Sequence, residues 1–314
     1  MIDKNTKKRY NERSDRMSFR IEINPELKMK SDIMFKAFYG RKENEEFLQD
    51  FLESVLEEKI KIKKVMHDVR LEQLAKEQKF GILDLGVELE DGEFINVEIQ
   101  IKNYKNIEKR TTFYACKKLI EQLGPGEDYR QLKPTIIIAI LDYSFIKLPE
   151  YITETVRVVK EHREYEINND VKYYYIELEK FRNQNPDMTK RINQWSAFLD
   201  MERSDLLEMA CKENDKVKRA VENYEVLTGD EEVKRLAEIR LMSKLEEKSA
   251  LDCAREDGIE EGKKIGREIG REQERRETIE KLRKIAKKLK EQKMQTKQIA
   301  EITGLSEEEI EDLK

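Results

Sequence analysis

The sequence predicts an α/β fold: a core of element order αβββαβ, with a mixed central sheet flanked by helices, followed by an all-helical C-terminal extension. Three observations predict it. Two runs of apolar residues at helical spacing precede two alternating runs joined at Asp91-Gly92. A continuous β-branched run, Thr135 to Leu141, suits a strand buried on both faces. Beyond about residue 200 the chain turns to charge at helical spacing, in a protein of 314 residues with 41% charged residues and only five prolines. The expected organisation is a basic arm over 1–27, a core over 28–200 and a charged helical extension over 201–314.

The elements follow in order. Ser31 or Asp32 caps a short helix carrying Ile33, Met34, Phe35 and Phe38 that ends near Gly40. Phe47, Leu48, Phe51, Leu52, Val55 and Leu56 then form one broad apolar helical face. A strand from about Ile60 to His67 leads to the hairpin. From about Asn106 to Leu123 the period is helical again, with Phe113, Cys116, Leu119, Ile120 and Leu123 predicted to face inward, and Gly124-Pro125-Gly126 stops it. The aliphatic strand over 135–141 follows.

Register makes the hairpin informative. Successive strand side chains point to opposite faces, so Leu83, Leu85, Val87 and Leu89 share one face and Ile82, Asp84, Gly86 and Glu88 the other. Likewise Ile95, Val97, Ile99 and Ile101 oppose Asn96, Glu98, Gln100 and Lys102. A two-residue Asp91-Gly92 loop would set Asp84 opposite Ile99 and mix the faces. A three-residue loop of Glu90, Asp91 and Gly92, with Gly in the left-handed position, pairs Leu89 with Glu93 and Asp84 with Glu98. Only this register keeps one continuous aliphatic face, so it is the prediction. It places two carboxylates roughly 5 Å apart across the ladder. Such a pair repels unless a cation lies between, and hard divalent ions take carboxylate oxygens. Gln100 reaches the same site and can orient a metal-bound water, and the Ile99 backbone carbonyl is a further oxygen ligand. The alternation alone fits equally a solvent-facing polar side of a hairpin.

Aspartate on one strand and Glu-x-Gln on the next, spaced D-x13-E-x-Q, resembles the PD-(D/E)XK nuclease superfamily, whose motif usually ends in Lys. With the blocks around Lys30 to Lys36, KRTTFYACKKL, PTIIIAIL, YYYIELEKF and WSAFL, the chain is similar to the branch of recombination-promoting nucleases and PD-(D/E)XK nuclease family transposases, over roughly residues 28 to 200. The resemblance implies a restriction-endonuclease-like core and a Mg²⁺-dependent DNA endonuclease acting on double-stranded DNA, with a role in recombination or transposase-like activity. Mn²⁺ suits the same oxygen ligands. It further implies Asp84 and Glu98 as metal ligands, Gln100 as the residue positioning the attacking water, and Asp32 as an added acidic residue that also serves as a helix cap. Arg110 and Tyr114, four apart on one helix face, are expected to hold the scissile phosphate, with Gln122 a further candidate; Glu53 is, beside Asp32, the other acidic residue able to approach the site from the first helices. Gln100 lacks the charge of the usual Lys. A non-catalytic DNA-binding or oligomeric protein retaining the fold is the alternative.

Other chemistries find no support. His67 and His162 form no cluster, and Cys116, Cys211 and Cys253 are too far apart for a zinc site. No apolar run is long enough for a membrane span and the charged N-terminus has no signal-like region, so a cytoplasmic protein is expected. The net charge of −5 gives no global attraction to nucleic acid, leaving local patches in the N-terminal arm and from Arg275 to Lys297. Gly258, Gly262, Gly266 and Gly270 fall on one helical stripe, where each glycine costs about 1 kcal/mol relative to Ala. Close approach of a partner helix, in a homodimer or higher oligomer, would offset that; a solvated charged helix is the other reading. Near the C-terminus two short helices flank Gly304, with a capping box at Ser306 and Glu309. The acidic second helix suits helix packing rather than DNA reading.

Overall fold

The aliphatic run Thr135–Leu141 lies within the sheet, bonded on both sides by parallel neighbours and buried along its whole length. The computed structural model describes residues 25–66, 85–167 and 170–313. Helices α1 (Asp32–Tyr39) and α2 (Glu45–Leu56) come first, then β1 (Ile62–Met66), β2 (Leu85–Leu89) and β3 (Phe94–Gln100). After α3 (Ile107–Glu121) come β4 (Thr135–Leu141), β5 (Ile152–Thr155), a small separate hairpin of β6 (Val158–Val159) and β7 (His162–Glu166), and β8 (Val171–Glu177). Helices α4 (Leu178–Arg182), α5 (Arg191–Asp200), α6 (Ser204–Glu213), α7 (Asp215–Thr228) and the 61-residue α8 (Glu231–Glu291) follow, and α9 (Thr296–Thr303) and α10 (Glu307–Glu311) end the described chain. The main sheet has the order β1-β2-β3-β4-β8-β5, mixed, with β3, β4 and β8 mutually parallel. The predicted αβββαβ order is therefore present, with strands β5 and β8 added at one edge.

The hairpin adopts the predicted register. Leu85 faces Val97, Gly86 faces Asn96 and Val87 faces Ile95. The turn closes with Leu89 N–H donating to the Glu93 carbonyl at 2.9 Å and Gly92 N–H to the Leu89 carbonyl at 3.1 Å. Gly92 has φ +93°, a conformation open to glycine at little cost. Asp84, one residue before β2, lies outside the described residues, as do residues 1–24 of the arm and His67.

One face of the sheet, with Leu85, Val87, Ile95, Val97, Ile99, Ile136, Ile138 and Ile140, belongs to the large core. Against it lie Phe35, Phe38, Phe47, Phe51, Trp195, Phe198 and Tyr224 from α1, α2, α5 and α7, and the buried set extends to Ala237 on α8. Ser31, not Asp32, is the N-cap of α1, its hydroxyl accepting from Met34 N–H at 3.1 Å. The Asp50 carboxylate ties this layer together. It accepts from Trp195 Nε1 at 2.9 Å and Lys216 Nζ at 2.8 Å, with Arg191 Nη1 at 3.1 Å.

The opposite face is covered by α3, and here the predicted helical face is corrected. Ile107, Thr111 and Ala115 are the buried residues of α3, whereas Phe113 is 65% and Ile120 75% exposed and Cys116 is exposed too. The sheet surface under α3 carries Glu98, and the helix turns Arg110 towards it. Leaving a buried carboxylate unpaired costs several kcal/mol, of the same order as the roughly 2 kcal/mol forgone at each of Phe113 and Ile120. Charge pairing thus offsets what hydrophobic periodicity loses in this rotation of the helix.

The chain divides into two units, one ending at Lys244 and one from Leu245 onward. In the second, Ala286, Ile299, Leu305 and Ile310 form a small core with Leu282, Leu289 and Met294. Gly304, at φ +70°, ends α9, and Ser306 with Glu309 forms the predicted capping box of α10. Lys290 Nζ donates to the Ile310, Glu311 and Leu313 carbonyls at 3.0, 2.9 and 2.9 Å, a cation at a helix C-terminus. The four spaced glycines sit within α8, and a Cβ at any of them would meet nothing within 4 Å. Among the described residues, no helix is long and apolar enough to cross a membrane.

Two substitutions test these constraints. Asp50→Ala should lower the unfolding free energy, measured in urea, by about 3 kcal/mol, because it strands Lys216 and the Trp195 N–H. Burial alone would raise the Asp50 carboxyl pKa, but the bonds from Lys216 and Trp195 outweigh it and hold the group below its ordinary value. The Asp50 contribution is therefore present above the unfolded carboxylate range near pH 4 and is lost as pH falls through the lower folded value, so the variant's stability should depend less on pH there. Gly92→Ala should cost about 1 kcal/mol, since alanine is strained at positive φ; an unchanged midpoint would remove the claim that the turn needs glycine.

Candidate active site

The candidate site lies where β3 ends beside its parallel neighbour β4, with Glu98 paired to Ala139 and Gln100 to Leu141. Alternation on β3 puts Asn96, Glu98 and Gln100 on the face under α3, and all three are buried. Parallel strands bring their C-terminal ends together, so the residues following β4 reach the same place. Tyr143, two residues past β4, donates its hydroxyl to Gln100 Oε1 at 3.1 Å, and Asp142 N–H donates to the Gln100 carbonyl at 3.0 Å.

Glu98 is 1% exposed, and its Oε1 forms a short ion pair with Arg110 Nε. Arg110 stands one turn into α3, half-buried, with its guanidinium 5.5 Å from the ring centroid of Tyr114. The predicted pair thus does share a helix face, and the structure turns Arg110 onto Glu98. Burial, and next the charge of Glu98, push the Tyr143 hydroxyl up to about 12. It remains protonated, and a hydrogen-bond donor, throughout the neutral range.

Ile99 points its side chain to the other face, into the main core, which leaves only its backbone beside Glu98 and Gln100. Asp32 is engaged elsewhere: its carboxylate meets Arg240 Nη2 at 2.8 Å and Lys244 Nζ at 4.0 Å. Glu53 bonds Lys59 Nζ at 2.7 Å. Gln122 clamps the entry to β4, accepting from Lys133 N–H at 2.8 Å and donating to the Lys133 carbonyl at 3.0 Å. Among the described residues, none of these three contacts Glu98 or Gln100 through a hydrogen bond or ion pair.

Around the site run polar networks that sequence reading missed. Buried Lys30 bonds Asp142 Oδ2 at 2.8 Å and Glu202 Oε1 at 3.0 Å, and Arg182 joins Asp142 to Asp200, the latter at 2.6 Å. Glu177, wholly buried at the end of β8, accepts from the Phe145 and Ile146 amides and from Lys180 Nζ at 2.7 Å. This fixes the loop that follows Tyr143. Asn96, 0% exposed, has no hydrogen-bond partner for its side-chain amide among the described residues. One signal was available in the sequence: Asp142-Tyr143 directly follows a buried aliphatic run, and the ends of parallel strands are where open sheets place their sites.

The donor set suits a hard divalent ion. Glu98 supplies a carboxylate in a water-poor setting that already holds one positive group against it. Among the described residues no three His, Cys, Asp or Glu side chains converge.

The chain matches the profile of the PD-(D/E)XK nuclease family transposases over residues 29–254. No curated protein and no solved structure matches it. The mixed sheet flanked by helices, with a C-terminal helical stretch, is consistent with the restriction-endonuclease-like fold of that family. A nuclease-like function follows at the level of the family, and with it DNA as the kind of substrate. The chain belongs to the PD-(D/E)XK nuclease transposase family.

Proposed function

We propose that the protein is a Mg²⁺-dependent DNA endonuclease that hydrolyses phosphodiester bonds in double-stranded DNA, in recombination or in a transposase-like reaction. The observation that carries this reading is Glu98, a carboxylate sealed under α3 beside a matched cation and one strand step from Gln100. Burying an ionised carboxylate is costly, and this one stands on the strand face where the Glu-x-Gln pattern places a ligand. We assign Glu98 and Asp84 as ligands, with the Ile99 carbonyl a further oxygen, for Mg²⁺ or Mn²⁺. When bound, the ion supplies Lewis acidity at the scissile phosphate and a water of lowered pKa. Gln100 orients the attacking water, while Arg110 and Tyr114 steady the phosphate. Asp32, already held by Arg240 and Lys244, acts through the placement of α1 in this scheme.

The ion pair between Arg110 and Glu98 also favours a second reading, a DNA-binding or oligomeric protein that keeps the fold without the reaction. Supercoiled plasmid separates the two. With Mg²⁺ or Mn²⁺ the wild type should nick it, EDTA should abolish nicking, Asp84→Ala and Glu98→Ala should be inactive, and Arg110→Ala should lose about 10²-fold. Binding to DNA in a gel shift without nicking under any divalent ion would leave the second reading standing.

The C-terminal helices suit self-association. Along α8 the glycines face open space and Ile259, Ile265 and Ile269 are about half exposed, so a second copy of the helix can approach closely on that stripe. Light scattering of the full chain should give a dimer or larger mass that falls when the four glycines become glutamine; a wild-type monomer at tens of micromolar would rule this out.

A further inference from the structure

A glutamine side chain has two ends that do different work: its oxygen accepts hydrogen bonds and its nitrogen donates two. Whichever end is held, the other is turned the opposite way. At Gln100 the held end is the oxygen, which takes the Tyr143 hydroxyl hydrogen at 3.1 Å. Among the described residues the nitrogen makes no hydrogen bond. The two N–H groups are therefore turned away from Tyr143, on the strand face that also carries the Glu98 carboxylate.

Tyr143 is itself immobilised. It is buried in a small cluster with Ile107, Ala139, Leu141 and Tyr175. The chain on either side is tied down, by Asp142 to Lys30 and Arg182 and by the Phe145 and Ile146 amides to Glu177. A phenol so fixed imposes one orientation on a side chain that would otherwise flip at little cost.

We propose that Tyr143 is a positioning residue that locks Gln100 as a hydrogen-bond donor to the reacting centre. Gln100 then does the donor half of what a lysine ammonium would do there, without the charge. Its partner would be a phosphate oxygen or the lone pair of the attacking water, neither of which a glutamine oxygen can bind without a hydrogen between them. This deepens the nuclease reading and rests on it.

The test is a double-mutant cycle on plasmid nicking, with kcat and KM resolved on a fluorescent duplex. In the wild-type background Tyr143→Phe should lower kcat by about 10- to 100-fold, the scale of a misplaced catalytic group, with KM for DNA nearly unchanged. A lysine has no amide to orient, so on the Gln100→Lys background the same change should cost less than about threefold. Gln100→Glu, which fits the Tyr143 bond but has no N–H, should be inactive. Equal losses from Tyr143→Phe in both backgrounds, no loss in the wild type, an inactive Gln100→Lys, or an active Gln100→Glu would each overturn the proposal. Should Tyr143→Phe fail to fold, by circular dichroism, the glutamate and lysine variants decide alone. Absence of nicking by the wild type would instead bring down the nuclease reading and this inference together.

Discussion

A carboxylate without access to water, on a sheet face covered by a helix, constrains everything around it. Glu98 needs a positive partner, and Arg110 on α3 supplies one. That requirement sets the rotation of α3, which in turn leaves Phe113, Cys116 and Ile120 on the outside and brings Ile107, Thr111 and Ala115 against the sheet. The small side chains at Thr111 and Ala115 are what let the helix lie close enough for a single arginine to span the gap. Hydrophobic gain is thus concentrated on the other face of the sheet, where no polar group interrupts it.

The two faces divide the labour. The aliphatic face, packed by aromatic residues of α1, α2, α5 and α7, holds the sheet in place and tolerates charge only at its margin, as at Asp50. The polar face carries Asn96, Glu98 and Gln100 and is stiffened by hydrogen bonds and ion pairs together with the small apolar cluster around Tyr143. Fixed polar groups in a dry setting interact more strongly than in water, and they need not reorganise during a reaction. Among the described residues the Asn96 side chain finds no hydrogen-bond partner, a feature that costs about 1–3 kcal/mol wherever it occurs.

Much of this was legible from residues alone. The faces of β2 and β3 followed from alternation, and the odd-length turn followed from asking which register keeps one aliphatic face intact; Gly92 then adopts the backbone that turn requires. Capping chemistry at Ser306 and Gly304 was readable because it is local. The rotation of α3 was not, because helical periodicity counts apolar residues and is blind to a carboxylate on a distant strand. Tyr143 was missed for a related reason: its partner Gln100 is 43 residues away, and only the parallel pairing of β3 with β4 makes them neighbours.

The ion pairs that fasten the first helices have a consequence for how the chain is made. Lys28 bonds Glu202 across 174 positions, Asp50 bonds Lys216 across 166, and Asp32 and Glu26 bond Arg240 and Lys244 across 208 and 218. At ribosomal speeds of about 5–20 residues per second, these N-terminal carboxylates and ammonium groups wait roughly 10–40 s for their counterions. Over the first part of that interval α1 and α2 carry a broad apolar face with no sheet to cover it, and the helices α5 and α7 that complete the covering come later still. Vectorial synthesis therefore delivers this apolar surface before the last of its covering, which makes the nascent chain, rather than the finished fold, the state in greatest need of a chaperone.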